Sequence, residues 1–307
     1  MASPTTPAEV CEALDGLLAL PRAQQHAASL KLAAEVDLGQ PPEAWNTTFG
    51  TGSLFEAWTG SSLMSAVYET TAATLLPKLA PGWRGLEIGA GDGRFWRCLG
   101  PQLPPGTLCV VDPWPEVGER LAAVLPSQVA LDFREGRVEE ADLPSTDFAL
   151  ASLVLHHVGG ADAEERRAFG LTGPGKRELL EALAEAVGPQ GLVVLNEADV
   201  HCDLELSPGD PVLRDRFVDA YVRRCARALC ADIRDGLGDP LRLAAVVRQW
   251  CLEEVRMSEV PRSERDVYEL DVPRWLALFQ RAGLRVVRQG PADPWRLFHH
   301  YVLAPTP

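Results

Sequence analysis

The chain has 307 residues, 46% of them hydrophobic and 23% charged, which is ordinary for a globular protein and excludes wholesale disorder. A net charge of -14 excludes a broad surface for nucleic acid or anionic lipid, because phosphate binding draws on clustered Lys and Arg. No apolar run approaches the roughly 18 residues of a membrane span.

The start, MASPTTPAEV, lacks a basic stretch followed by an apolar one, so no secretory signal is read there. Seven cysteines, at positions 11, 98, 109, 202, 225, 230 and 251, are odd in number and contain no C-x-x-C. They read as thiols of a reducing cytoplasm, with neither a disulfide framework nor a metal site. Lysine is confined to Lys31, Lys78 and Lys176 while Arg, Ala, Leu and Pro abound, which points to a GC-rich bacterial genome.

The first eighty residues read as helical. Thr6-Pro7-Ala8-Glu9 has the form of a capping box with Pro at the first helical position. Val10, Leu14, Leu17 and Leu18 follow at helical spacing, and a second helix is expected over Arg22 to Val36, stopping near Gly39-Gln40-Pro41-Pro42. Ala44 to Gly60, with Trp45, Phe49, Phe55 and Trp58, reads as a packed loop. Leu63, Val67, Leu75 and Leu79 suggest a further helix ended by Pro81-Gly82.

From Arg84 the pattern alternates between strands and helices. Strands are expected at Gly85–Ile88, Leu108–Val111, Val129–Phe133, Phe148–Leu153 and Leu192–Asn196, with helices at Arg94–Leu99, Pro115–Leu125 and Arg177–Val187. Such a series implies a mostly parallel sheet covered on both faces, with ligands at the carboxyl ends of its strands. Between His201 and Tyr268 two long amphipathic helices, 211–234 and 240–257, interrupt it, each opened by Asp-Pro. Asp271 then caps a helix over Val272–Ala282, stopped by Gly283, and strands Leu284–Arg288 and Phe298–Leu303 close the sheet as a hairpin.

The chemistry is concentrated at three places. Gly85-Leu-Glu87-Ile-Gly89-Ala-Gly91-Asp92-Gly93 joins a short apolar strand to a helix, and its glycines let the backbone turn sharply and approach a ligand. Alone it is a weak signal, since an ordinary βα turn with positive φ has the same form. Glu87 stands at an apolar strand end, where a ligand ammonium or a backbone amide could satisfy it. About twenty-five residues on, Val110-Val111-Asp112 places an acid where it can accept from ribose hydroxyls, with Trp114 beside it to cover an adenine face or simply to pack. His156 and His157 follow strand four; an imidazole there suits a general base, and equally suits a loop-holding hydrogen bond. Glu197, Asp199 and His201 follow strand five, able to bind a cationic substrate, orient a histidine or face solvent. His299 and His300 point to opposite faces of the last strand, and a structural role is favoured for them.

These residues resemble the class I S-adenosylmethionine-dependent methyltransferase family, small-molecule type. The resemblance covers roughly residues 62–200 and 271–307 and rests on Glu87-Ile-Gly89-Ala-Gly91-Asp-Gly93, Asp112, Asp147-Phe-Ala-Leu-Ala-Ser-Leu-Val-Leu155-His156-His157 and the closing Trp275-to-Gly283 helix with its two strands. It implies an α/β fold with a Rossmann-like seven-stranded, mostly parallel sheet whose last strand is antiparallel. It also implies S-adenosyl-L-methionine as cofactor, with S-adenosyl-L-homocysteine as product, and places Gly89, Gly91 and Gly93 along the methionine part. Val138 and Ser152 are expected to join Glu87, Asp112 and Trp114 in the cofactor site. One departure stands out: Arg137 occupies the position where the family often has an acid for the adenine amino group, leaving Glu139 and Glu140 as candidates. A nicotinamide dehydrogenase fails on the third glycine of its fingerprint, which here is Arg94.

The domain organisation expected is a helical N-terminal cap over 1–61, the core over 62–200, a helical lid over 201–270 and completion of the core over 271–307. Trp45, Phe49, Trp58, Phe217, Tyr221 and Trp250 could wall a substrate pocket, although aromatics at helical spacing are more often core. The expected activity is methyl transfer to an O or N atom of a small molecule, such as a natural-product intermediate, with His156, His157 and Glu197 as candidate catalytic residues and no metal. Methylation of a peptide or protein side chain, or a fold that keeps the cofactor without transferring its methyl, are the alternatives. No nucleic-acid or membrane partner is expected, and the sequence leaves a homodimer open.

Overall fold

The reciprocal cap read from the sequence forms as expected: Glu9 N donates to Thr6 Oγ1 at 3.3 Å, while Thr6 N donates to the Glu9 carboxylate at 3.0 Å. It opens helix α1 (Pro7–Leu18), followed by α2 (Arg22–Glu35), α3 (Leu54–Thr59) and α4 (Ser62–Leu75). This computed structural model describes residues 3–39, 54–158, 174–200, 206–261, 264 and 270–307. Trp45, Phe49, Cys202 and His201 lie outside the described residues. Helix α3 corrects the expectation of a loop through Gly60, because Leu54 and Trp58, one helical turn apart, are both buried.

Apolar runs supply the strands: β1 (Trp83–Ile88), β2 (Gly106–Asp112), β3 (Val129–Glu135), β4 (Phe148–Ser152), β5 (Leu192–Ala198), β6 (Leu284–Pro291) and β7 (Phe298–Pro305). They form one seven-stranded sheet in the order β3-β2-β1-β4-β5-β7-β6. β7 is antiparallel to both β5 and β6, and the pairs among β1 to β5 are parallel. The architecture is the Rossmann-like α/β fold expected. Strand order reverses between β1 and β4, so the carboxyl ends of these two strands flank the crevice where such sheets take ligands.

Helices α5 (Arg94–Leu99), α6 (Pro115–Val124) and α7 (Pro174–Val187) fall between strands, and a last helix (Val272–Arg281) is capped by Asp271, whose carboxylate accepts from Arg274 N at 3.1 Å. The core on the β1 side is aromatic. Trp83 stacks on Trp96 at 6.1 Å between ring centroids and meets Phe148 at 5.8 Å.

The chain divides into two compact units. One comprises Met1–Ala66, Val200–Arg265 and Asp293–Leu297 and is helical; the other comprises Val67–Asp199, Asp266–Ala292 and Phe298–Pro307 and holds the sheet. The inserted helices begin as expected, with Asp210 and Asp239 accepting from the first-turn amides. They are not α-helical throughout. Val218–Ala226 and Val247–Leu252 are π-helical, and these wider turns meet where Cys225 and Cys251 place their sulfurs 3.3 Å apart. Trp58 packs on Trp250 at 5.3 Å and Phe217 on Tyr221 at 5.8 Å, two ring pairs inside the helical unit. Among the described residues no helix is long and apolar enough to cross a membrane.

Candidate active site

β1 runs into the glycine turn, where Gly89, Gly91 and Gly93 have φ of 67°, 60° and 70°. This left-handed backbone strains any residue with a Cβ. Position 89 has a second constraint: a Cβ there would lie 2.5 Å from Val154 Cγ2, in the turn that follows β4. The glycine turn and the β4 exit are therefore in contact. Gly93 leads directly into α5.

Two buried carboxylates bracket the turn. Burial pushes Glu87 up to about 8; the indole N–H of Trp96, donating to its Oε2, opposes that rise, and the charge of Asp112 adds to it. The partner of Glu87 is thus Trp96, a residue the sequence did not single out, and not a backbone amide. Asp112 ends β2. Burial raises it to about 6, against the pull of the backbone amides of Trp114, Gly91 and Ala90, the first of which donates to Oδ1 at 3.0 Å. Asp112 therefore ties the glycine turn of β1 to the end of β2. Trp114 is 43% exposed, an unusual placement for so large an apolar surface, and stands beside that carboxylate. Val138 is buried at the start of the short 3₁₀ turn Val138–Glu140 after β3, while Glu140 is exposed.

The β4 exit forms the other half. Leu153, expected to continue the strand, leaves it with φ of 56°, a left-handed conformation that costs a non-glycine residue about 1–3 kcal/mol. The 3₁₀ turn Leu155–His157 follows. Glu197, buried on β5, accepts from Val154 N at 3.1 Å and Leu155 N at 2.7 Å through Oε1, and Oε2 meets His156 Nδ1 at 2.9 Å. Of the roles open to Glu197 from sequence, the geometry is that of orienting a histidine. A carboxylate only accepts, so Nδ1 carries the proton and Nε2 is the basic nitrogen of neutral His156. Ser152 Oγ accepts from Asn196 Nδ2 at 2.7 Å.

The His157 ring lies 4.1 Å from that of His156. Whenever His156 is protonated, its charge, ahead of desolvation and Lys176, holds His157 below the ordinary histidine range. His157 is itself exposed. Lys176, also missed in the sequence, is fully buried and donates to Val158 O at 2.7 Å, tying α7 to the end of the same turn. Asp199 accepts from Val272 N at 3.3 Å, and His299 lies 3.3 Å from Gln289. Among the described residues no group of three or more His, Cys, Asp or Glu side chains could hold a metal ion.

Comparison with known proteins decides the family. The family described as "methyltransferase domain" matches residues 62–289, well over half of the chain. The chain belongs to the methyltransferase domain family. It is a methyltransferase of the class I fold, and the family implies S-adenosylmethionine as methyl donor. No curated protein matches it. Similar solved structures include an S-adenosylmethionine-dependent methyltransferase from Mesorhizobium loti, at 16% identity over 78% of this chain and 99% of that one, with a TM-score of 0.44. A putative O-methyltransferase from Nostoc punctiforme is 16% identical over 94% and 71% of the two chains, with a TM-score of 0.46. The mitomycin 7-O-methyltransferase MmcR is 16% identical over 98% and 73%, with a TM-score of 0.44.

The residues at the carboxyl ends of β1 and β2 fit that donor. A left-handed turn closed to side chains, a desolvated carboxylate able to accept from hydroxyls and an exposed indole are the chemistry an adenosine with an amino-acid tail requires. The raised pKa of Asp112 gives the methyltransferase a testable pH dependence. Its protonated form is favoured below about 6, and only the carboxylate can accept from two ribose hydroxyls. Donor binding through Asp112 would draw it toward its charged form and release protons near that pH. Affinity for S-adenosylmethionine should tighten as pH rises through about 6 and level off above it, as read by calorimetry between about pH 5 and about pH 7.5. A dissociation constant that stays flat over this range would remove Asp112 from the site.

Proposed function

We propose that this methyltransferase moves the methyl group of S-adenosyl-L-methionine to an oxygen or nitrogen of a small molecule, with His156 as general base. The observation that carries this reading is the buried Glu197 carboxylate fixing both the turn and the tautomer of His156 at the β4 exit. That turn touches the glycine loop through Val154 and Gly89.

Each group has a defined task in this reading. Gly89, Gly91 and Gly93 admit the methionine part of the donor, Asp112 accepts from the ribose, and Trp114 and Val138 flank the adenine. The donor supplies an electrophilic methyl on a sulfonium and leaves as S-adenosyl-L-homocysteine. Nε2 of His156 takes the proton from the acceptor hydroxyl or amine as the new bond to carbon forms. Glu197 stabilises the resulting imidazolium by charge and by its hydrogen bond to Nδ1. The acidic net charge adds support for a small acceptor over a polyanionic one.

Donor labelled in its methyl group and mixed with a metabolite extract should pass label to a small molecule. Label found only in the protein fraction would instead indicate a peptide or protein side chain. With the acceptor in hand, a folded His156→Ala should lose about 10²–10⁴ in turnover while donor affinity hardly changes. The loss should shrink for acceptors that arrive already ionised. Full turnover by that variant across the pH range would end the role of His156 as base.

We further propose that the helical unit regulates acceptor entry. Amides of residues 211–234 and 240–257 should then gain protection from hydrogen exchange when donor and acceptor are both present. Unchanged protection during full activity would leave these helices as fixed structure.

A further inference from the structure

β5 carries two consecutive polar residues, Asn196 and Glu197, in an otherwise apolar strand, and both are buried. Successive residues face opposite sides of a sheet, so Glu197 works on one face and Asn196 on the other. On the Asn196 face the strand register aligns Ser152 of β4, Asn196 of β5 and His300 of β7. Their side chains join. Asn196 donates from Nδ2 to Ser152 Oγ at 2.7 Å and to Thr71 Oγ1 of α4 at 3.0 Å. Its Oδ1 lies 2.7 Å from His300 Nδ1, and His300 Nε2 lies 2.9 Å from Thr74 Oγ1, also on α4.

Arg288 of β6 donates to the same Thr74 hydroxyl. It reaches that side because of a bulge. Val286 pairs with Leu303 and Arg288 with the adjacent Val302, leaving Val287 as the extra residue. In regular register the side chain of residue 288 would point to the opposite face; the bulge re-aims it toward His300. Burial, then the charges of Arg288 and His299, pushes His300 down to about 4, so at neutral pH its ring is uncharged. Nδ1–H then donates to Asn196 Oδ1, and Nε2 is left to accept from the Thr74 hydroxyl, whose single proton is shared between this nitrogen and Thr70 O at 3.1 Å.

The row ends where the chain is strained. Asn196 O accepts from Leu153 N at 2.8 Å, and the Asn196 side chain fixes Ser152, the residue before the left-handed Leu153. A residue persists in that conformation only where its surroundings over-determine it. Glu197 supplies one set of restraints and Asn196 the other.

We infer that Asn196 and His300 are positioning residues: the row Arg288–Thr74–His300–Asn196–Ser152 holds the β4 exit and through it sets the place of His156. The inference deepens the methyl-transfer reading, and only its turnover arm rests on that reading. Among the described residues His300 makes no hydrogen bond to the glycine turn or to Asp112, so donor affinity is not what it controls.

The test compares the parent with His300→Leu, which removes the donor to Asn196, and His300→Asn, whose amide can restore it. Hydrogen exchange of the Leu153, Val154 and Leu155 amides is read in the intact protein without acceptor. His300→Leu should speed exchange there about tenfold or more, leave the β1 and β2 amides protected, and keep the donor dissociation constant within about threefold. Turnover on the acceptor should fall by about 10²-fold, the scale of an ångström-sized misplacement. His300→Asn should return exchange and turnover to within about threefold of the parent. If His300→Leu does not fold, Thr74→Val, which cuts the same row with little change of volume, should give the same exchange pattern. Parent-like exchange at residues 153–155 in the folded variant, or a His300→Asn no better than His300→Leu, would overturn the inference. A parent that transfers no methyl group would count against the functional reading alone, since the exchange arm decides this one without it.

Discussion

One buried carboxylate holds the carboxyl ends of β1, β2 and β3 together. Asp112 closes β2 and accepts from amides of two neighbouring turns: Trp114 just beyond its own strand, and Ala90 and Gly91 in the turn after β1. Gly89 N also donates to Val111 O at 3.0 Å, and Gly136 N to Asp112 O at 3.1 Å. The turns after β1, β2 and β3 thus converge on the last two residues of β2. The glycines need their left-handed angles because the loop must fold back onto this acid, and the acid stays desolvated because the loop covers it. Burial costs Asp112 part of its charge, and ligand hydroxyls would offset that cost.

Environment, more than chemistry, separates the buried acids. Glu87 has an indole donor in apolar surroundings and is pushed up to about 8, whereas Asp112 has three backbone donors and rises only to about 6. Glu197 has three donors from a single turn and uses them to hold Val154, Leu155 and His156 in place. The strain at Leu153 is maintained by this clamp and by Asn196 on the opposite face. In the proposed base role of His156, such pre-organisation would place the proton-accepting nitrogen before the acceptor binds.

What the sequence revealed was largely local. Alternating apolar runs and turns located the strands, Thr6, Asp210, Asp239 and Asp271 announced their helix starts, and the glycine pattern with Asp112 pointed to the crevice. The candidate site was legible as a set of residues and not as a set of partners. Trp96 is nine positions after Glu87, and nothing in that spacing identifies it as the donor, because the contact depends on how α5 packs under β1. The Asn196–His300 link joins residues 104 apart and needs the register of β5 against β7. The π-helical turns are not legible in the sequence because their residues keep an ordinary i, i+4 pattern. The short helix α3 was obscured by Gly and Thr on either side. Leu153 reads as strand because leucine seldom adopts a positive φ, and the clamp that enforces it comes from β5, some forty residues away along the chain.

The central claim, that the carboxyl ends of β1 and β2 bind S-adenosylmethionine through Asp112, is tested most directly by calorimetric titration of the cofactor into the parent protein and into Asp112→Ala and Asp112→Asn. The parent should bind with a micromolar-class dissociation constant, about -8 kcal/mol. Asp112→Ala should weaken binding by about 1.5–3 kcal/mol, the range for hydrogen bonds to a charged group, and Asp112→Asn should keep part of it. No measurable binding by the folded parent, or one dissociation constant shared by all three proteins, would contradict the account.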